Sequence, residues 1–485
     1  MKLSALSKKP YFFLALALVL FFPAYLINIG DQPIIEDEAI RSLVAFEMYK
    51  SGDYITPTIG GEEYLRKPPL YNWFIAASYA VFGNYSELAI RFPMILSLLF
   101  FSLTIFLVVK RELGTWMGVL NALIYLTLGR IIIYESLHGL IDLAFSWVTY
   151  LVFMLSWFYF RRGQYLKLFM AAYFLTAVTW MMKGLPSLVF LGITLLVLFI
   201  SQKRFKILFN WRHFAGILLF IGLVGGYYLL YFNQNDVSPE ELFRTLLGQT
   251  TRRTVVRFGW LQTIQHIFIF PFEMMYHFLP WTLLLAVLIM KGSRKHIWSH
   301  PFLRYNILLL VFNIIPYWTS PEVHPRYILM LIPLLLLPLS WYLVKIRPAI
   351  LPKLCWLAVI ILMLRIVFDF TVLPTRQKNS QEVLSKQSAI ELAEKSKGKE
   401  LYSYWNEEFE PSFYYMKNFL AFRYHFHLAA ARDEILYNIS DKKPEAWYFS
   451  ANAHIAGDSI IRIGTVDQHL DDTSPLPLFV FYTAN

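Results

Sequence analysis

Asp37 and Glu38 stand side by side near the start of a charged stretch, EDEAIRSLVAFEMYKSGDYITPTIGGEEYLRKPPLYNW, that runs from Glu36 to Trp73, and Lys67 lies near its end. A held carboxylate can take a proton from an attacking group. A cation in a water-poor site can stabilise a departing anion. Charges beside apolar flanks at a membrane boundary are costly without such a task or partner. Asp37, Glu38 and Lys67 are therefore candidates, whereas Lys50, Glu62 and Glu63 read as a solvated loop.

Other charges sit inside or at the ends of apolar runs. RIIIYESLHGLIDLAFSW holds Arg130, Glu135, His138 and Asp142. Separations of three and four put the last three on one helical stripe. Such a stripe can bind a divalent metal, but an internal hydrogen-bond network is the favoured reading, and no cofactor is expected. TWMMKGLPS presents Lys183, against the bland reading of a snorkelling lysine. SPEVHPRYILMLIP presents His324, Arg326 and Tyr327, and an Arg there can pair a phosphate bidentately. RRTVVRFG clusters Arg252, Arg253 and Arg257, which suits an anionic ligand or lipid headgroup. Arg91 is a weaker candidate.

These residues need a frame. Of 485 residues, 57% are hydrophobic and 16% charged, against about 25% charged in a soluble domain. The chain reads as an all-α polytopic membrane protein. About eleven spans of roughly 20 apolar residues are expected, near 11–29, 88–109, 114–133, 137–160, 165–182, 185–201, 213–232, 270–290, 303–319, 326–344 and 350–372. The first is an uncleaved helix rather than a signal peptide. Alternate loops are basic, from Lys110–Arg111 to Lys345–Arg347–Lys353, while loop 30–87 is rich in Asp and Glu. The positive-inside rule puts that loop, Asp37 and the tail outside. The formal charge of +11 is spread over these short loops, without a basic stripe and interleaved aromatics, so no nucleic-acid partner is expected. The single cysteine, Cys355, cannot form an intramolecular disulfide.

Within loop 30–87, apolar Ile40, Leu43, Val44 and Met48 fall at helical spacing. This predicts an interfacial helix that places Asp37 and Arg41 on one face. Gly60-Gly61 predicts a tight turn, and LYNWFIAASYAVFG a second helix too short to span. Residues 1–374 thus form a transmembrane domain. Residues 375–485 read as a small soluble α/β domain, with a helix in SQEVLSKQSAIELAEKSKGKE and strands in ELYSYW, FRYHFH, EAWYFS and LFVFYT.

Asp37-Glu38, EMYKSGDY, Tyr64 and Lys67-Pro68 together resemble the first outer loop of lipid-carrier-dependent glycosyltransferases of the GT-C fold. The resemblance is to the aminoarabinose lipid A transferase family, related to protein O-mannosyltransferases. It extends through the topology over roughly residues 1–374. Asp142, the Lys183-Gly184 pair and the His324–Tyr327 segment resemble later family positions, with Lys183 implied at the lipid phosphate. One departure is Ile40 where the family has Arg, followed by Arg41.

The resemblance implies a multi-pass enzyme of the bacterial inner membrane with its site and soluble domain on the periplasmic side. It would move a sugar, with inversion, from a polyprenyl-phosphate carrier to a lipid, glycan or protein acceptor. Asp37 and Glu38 would be catalytic. Arg41, Tyr64, Lys67, Asp142, Lys183, Arg252, Arg253, His324, Arg326 and Tyr327 would bind substrate. The missing P-loop and G-x-G-x-x-G agree with a lipid-linked donor. The alternative, a transporter or flippase of a lipid-linked sugar, calls for repeated halves and mid-membrane anion sites, and neither is visible.

Overall fold

A computed structural model describes residues 9–242, 244, 255–289, 298–377, 381–403, 419–439, 443, 446–450, 460–461 and 479–482. Arg252 and Arg253 lie outside these residues. The chain enters as α1 (Pro10–Tyr25), turns, and forms α2 (Glu36–Ser51). α2 begins where the Glu38 side chain accepts the Ile35 N–H at 3.3 Å. It stops at Gly52, whose φ of 74° and bond to the Met48 carbonyl make a left-handed cap.

A hairpin follows, with β1 (Thr58–Ile59) antiparallel to β2 (Glu62–Glu63). It turns on Gly60-Gly61, both at positive φ, as a two-residue hairpin turn demands. Glu47 reaches over from α2 to hold it. Its carboxylate accepts the Gly60 N–H at 2.6 Å, the Gly61 N–H at 3.2 Å and the Thr58 hydroxyl at 2.7 Å. The short apolar helix α3 (Leu70–Phe82) comes next.

α4 (Glu87–Leu113) opens on a Ser86 cap and closes on Lys110 and Arg111, whose charges favour a helix C-terminus. α5 (Thr115–Leu126) gives way to a π-helical segment at Ile131–Glu135. The bundle continues with α6 (Asp142–Arg161), α7 (Tyr165–Lys183), α8 (Pro186–Ser201), α9 (Trp211–Gln234), α10 (Val255–His277), α11 (Trp281–Ile289) and α12 (Pro301–Trp318). A 3₁₀ segment, Pro325–Leu331, runs into α13 (Ile332–Ile346), and α14 (Leu351–Gln377) completes the bundle.

Among the described residues, six helical stretches are long and apolar enough to cross a bilayer, and shorter apolar helices lie between them. α9 leaves Leu218, Ile221, Leu229 and Leu230 exposed, and α14 leaves Leu364, Val367 and Phe370 exposed. Apolar residues on the outer faces of such helices are what lipid contact calls for. The chain is an all-α polytopic membrane protein.

The tail adds α15 (Gln381–Lys395), β3 (Leu401–Ser403), α16 (Phe419–Arg432), β4 (Trp447–Ser450), β5 (Ile460–Ile461) and β6 (Phe479–Tyr482). The sheet order is β3-β4-β6-β5, with β3 and β4 parallel and the other pairs antiparallel. Three expected strands are present. The fourth is corrected: FRYHFH lies in α16. Phe422, Tyr424, His425, Phe426 and His427 are all buried, so the helix is covered on most sides and shows no amphipathic stripe.

The interfacial reading of α2 is also corrected. Ala39 to Phe46 are buried almost without interruption. α2 is sandwiched between α3 and α16, and Phe46 meets the Phe426 ring at 6.4 Å. The tail therefore docks on the segment between α1 and α4. Lys50 pairs with Asp433 at 2.6 Å, Lys386 with Glu87, and the Asn438 N–H donates to the Gly60 carbonyl at 2.7 Å.

Candidate active site

The site forms where the N-terminus of α2 meets the loops at the ends of α6, α7 and α13. Asp37, in the first turn of α2, accepts from Arg326 Nη2 at 3.1 Å. The Asp37 side chain is 46% exposed, while that of Arg326 is 7% exposed. The acid is thus the open member of an otherwise buried set. Arg326 reaches across to Asp142, with its Nε 3.9 Å from Oδ2. The other Asp142 oxygen accepts from Lys183. The Lys183 ammonium lies 5.1 Å from the Tyr327 ring centroid and 4.9 Å from that of Phe145. Positions 37, 142, 183, 326 and 327 converge from four separate parts of the chain.

Lys67 joins this group from the loop after the hairpin. Desolvation, helped by Lys183 and Arg41, pushes its ammonium down to about 7 against the pull of Asp37 and Asp142. Tyr64 is fixed by its N–H to the Pro57 carbonyl at 2.7 Å, and its hydroxyl accepts from Arg41. Arg41, one step from the family position, therefore enters the site through Tyr64. His324 is exposed at the rim, with its ring 5.5 Å from that of Tyr327.

Glu38 points away from the opening. Its side chain and that of Arg91 are both 0% exposed. Arg91 Nε and Nη2 bind the two carboxylate oxygens at 2.7 and 2.9 Å. One of those oxygens also accepts the Gly139 N–H at 2.7 Å. Burial alone would raise the Glu38 carboxyl, but Arg91 outweighs it and holds the group low. Gly139 allows this approach, because a Cβ there would meet Glu38 Oε1 at 3.0 Å and the Ile90 carbonyl at 3.1 Å. Tyr71 donates to the Gly139 and Leu140 carbonyls at 3.1 and 3.2 Å. Together they fix the loop that leads to Asp142.

The expected stripe of Glu135, His138 and Asp142 is broken, because the regular helix does not resume until Asp142. Glu135 pairs instead with Arg130, Oε1 to Nε at 2.7 Å. Burial pushes Glu135 up to about 7 against Arg130's pull. Among the described residues, no three metal-ligating side chains converge. Sequence reasoning undervalued Arg91 and did not identify Tyr71 or Glu47. The signal for Arg91 was a charge in the first turns of a long apolar helix.

The family described as dolichyl-phosphate-mannose-protein mannosyltransferase matches residues 66–227. An uncharacterized protein of Aquifex aeolicus is 26% identical over 307 residues, or 62% of this chain and 59% of that protein. The undecaprenyl phosphate-alpha-4-amino-4-deoxy-L-arabinose arabinosyl transferase of Yersinia enterocolitica is 29% identical over 201 residues, 40% of this chain and 35% of that one. The chain thus spans less than two thirds of the curated relatives it matches. ArnT from Cupriavidus metallidurans, solved bound to undecaprenyl phosphate, superposes with a TM-score of 0.65 at 15% identity, covering 97% of both chains. An oligosaccharyltransferase of Archaeoglobus fulgidus superposes at 0.55 with 11% identity, covering 88% of this chain and 62% of that one. The chain has the GT-C fold of these solved structures, and its residues 66–227 are similar to protein mannosyltransferases.

Proposed function

We propose that the protein is a glycosyltransferase that moves a sugar from a polyprenyl-phosphate carrier to an envelope acceptor, be it lipid A, another glycan or protein. The reaction runs at the periplasmic face of the bacterial inner membrane. The observation that carries this reading is the accessible Asp37 carboxylate set on Arg326, with Lys67, Lys183 and Asp142 around it. The similar proteins named as undecaprenyl-phosphate aminoarabinosyl transferases support the donor class.

An acceptor oxygen attacks the anomeric carbon opposite the carrier phosphate, so the configuration inverts. The C–O bond to the phosphate breaks, and polyprenyl phosphate leaves with the electron pair. If the acceptor is a hydroxyl, its proton passes to Asp37. If it is a phosphate, it attacks as an oxyanion, and Asp37 orients the sugar. Lys67 and Lys183 stabilise the charge growing on the leaving phosphate, and Arg326 holds Asp37. Asp142 keeps Lys183 and Arg326 apart and aligned. Glu38 is assigned a positioning role, because Arg91 and Gly139 occupy its oxygens. Arg41 acts through Tyr64, and His324 with Tyr327 lines the rim. Arg252 and Arg253, on the outer-side segment after α9, are proposed to meet lipid phosphates.

The test is release of undecaprenyl phosphate from undecaprenyl-phosphate-linked sugars by the purified protein in nanodiscs, with an envelope extract as acceptor. Wild type should release it and add mass to one envelope component. Asp37→Asn should fall at least a hundredfold while remaining folded. Wild-type turnover in Asp37→Asn would remove Asp37 from the reaction.

A further inference from the structure

We infer that Asn28 is a positioning residue, which ties the turn between α1 and α2 to α14 and so sets where the Asp37 carboxylate stands. The inference rests on the transferase reading for the task it gives Asp37, and its test fails separately from that reading.

The turn begins where α1 stops. α1 ends at Tyr25, and Asn28 takes a φ of 63°, in the left-handed region. Asparagine is one of the few side chains that enter this region readily. Its carbonyl accepts the Asp31 N–H at 3.1 Å, which closes the turn. Glycine would serve that backbone as well. What asparagine adds is a side-chain amide, and it is used at long range. Its Nδ2 donates to the Asp369 carbonyl on α14 at 2.6 Å.

α14 carries the matching half. Arg365 and Asp369 stand one turn apart on this apolar helix, with side chains 2% and 0% exposed and Arg365 Nε 3.1 Å from Asp369 Oδ2. Charges inside a spanning helix are costly without a task or partner. Arg365 Nε also donates to the Ala24 carbonyl at 3.3 Å. That carbonyl is among the last of α1, which the helix itself leaves open and where a cation is favoured. Two bonds thus pair Ala24 with Arg365 and Asn28 with Asp369, four residues on in both segments. They fix the height of the turn against α14, and a slip of one residue breaks both.

Arg91 on α4 holds the same turn through the carbonyls of Ile29 and Gln32. One anchor leaves a loop free to pivot, and two fix it. The chain then enters α2, where the Asp37 carboxylate meets Arg326 at 3.1 Å. Lys67, Lys183 and Asp142 come from other elements. Freeing the α14 anchor therefore shifts Asp37 against them and leaves them in place. A misplacement of about 1 Å caused far from the chemistry can cost about a hundredfold in rate.

The experiment uses the full-length protein in nanodiscs with undecaprenyl-phosphate-linked sugars and an envelope extract. It measures donor affinity, turnover per donor-binding site, and the rate at which a water-soluble carbodiimide and an amine label Asp37, read by mass spectrometry. Asn28→Gly keeps the left-handed backbone and removes only the amide, so the variant folds. It should lose about tenfold or more in turnover, with donor affinity unchanged within about twofold. Asp37, loosened from Arg326, should label about threefold faster or more, while Glu322 on an exposed loop labels as before. In the Asp37→Asn background Asn28→Gly should cost no further turnover, which separates an effect through Asp37 from general damage. Unchanged labelling of Asp37 overturns the inference whatever the turnover does. So does an equal loss of donor affinity, or a further loss in the Asp37→Asn background. Faster labelling in Asn28→Gly, in a protein whose wild type binds the donor and turns over none, would instead overturn the transferase reading and leave the positioning of Asp37 standing.

Discussion

Lys67 is the cation whose charge the fold leaves least settled. Its ammonium is pushed down to about 7 by desolvation and by Lys183, so above that pH the free site holds a neutral amine. Binding of an anionic donor is then coupled to uptake of a proton from solution by Lys67. Linkage sets the sign: donor affinity is flat below about 7 and falls by up to tenfold per pH unit above it. The donor is a phosphodiester and does not itself titrate in this window. Lys67→Arg should bind more weakly at neutral pH but lose the slope, as titration calorimetry between pH 6 and 9 would show. An unchanged slope in Lys67→Arg would assign the titration to another group, of which Glu135 is the first to examine. Asp37 and Lys67 were legible in the sequence because each is a charge beside apolar flanks. The role of Glu38 was not. Its partner, Arg91, is 53 residues away, and nothing local distinguishes a clamped carboxylate from an open one.

Among the elements, the turn between α1 and α2 depends most on one side chain. Arg91 donates to the carbonyls of Ile29, Gln32 and Pro33 at 2.5, 2.7 and 3.1 Å, besides both oxygens of Glu38. It ties α4 to the strand of chain that presents Asp37. Glu38→Gln leaves the Arg91 charge buried without its counterion, at a cost of about 3–5 kcal/mol. Thermal unfolding in detergent reads this directly, and a change under about 1 kcal/mol would contradict a fully desolvated pair. Lys50→Ala, at an exposed partner, should cost under about 1 kcal/mol. Long apolar runs made the bundle helices legible, and Gly60-Gly61 made the hairpin so. α2 and α16 were misread for a shared reason. Each buries several faces against the other and against further helices, so their patterns follow partners far away in the chain. The stripe from Glu135 to Asp142 failed because the regular helix does not resume until Asp142.

At the scale of the molecule, the membrane bundle and the tail meet at the hairpin. The Gly60 carbonyl binds Asn438, Glu62 binds the Asn438 side chain, and Tyr437 lies over Gly61. Gly61 has a φ of 80°, and a Cβ there would fall 2.5 Å from the Tyr437 ring. Gly61→Ala should therefore cost about 1–2 kcal/mol through its backbone alone, with the clash added. Adding Tyr437→Ala should recover the clash and leave the backbone cost. Faster proteolysis between α14 and α15 in the single variant than in the double would show this, and equal rates would mean that the ring moves aside freely.

The same dock orders the making of the protein. α2 carries Asp37 and leaves the ribosome well before α16, which covers one of its faces. Until then Phe46 and its neighbours wait without their cover. A chain cut short before Phe419 would carry its bundle and still lack the cover over the loop that bears Asp37. Completion of the site thereby waits on the tail.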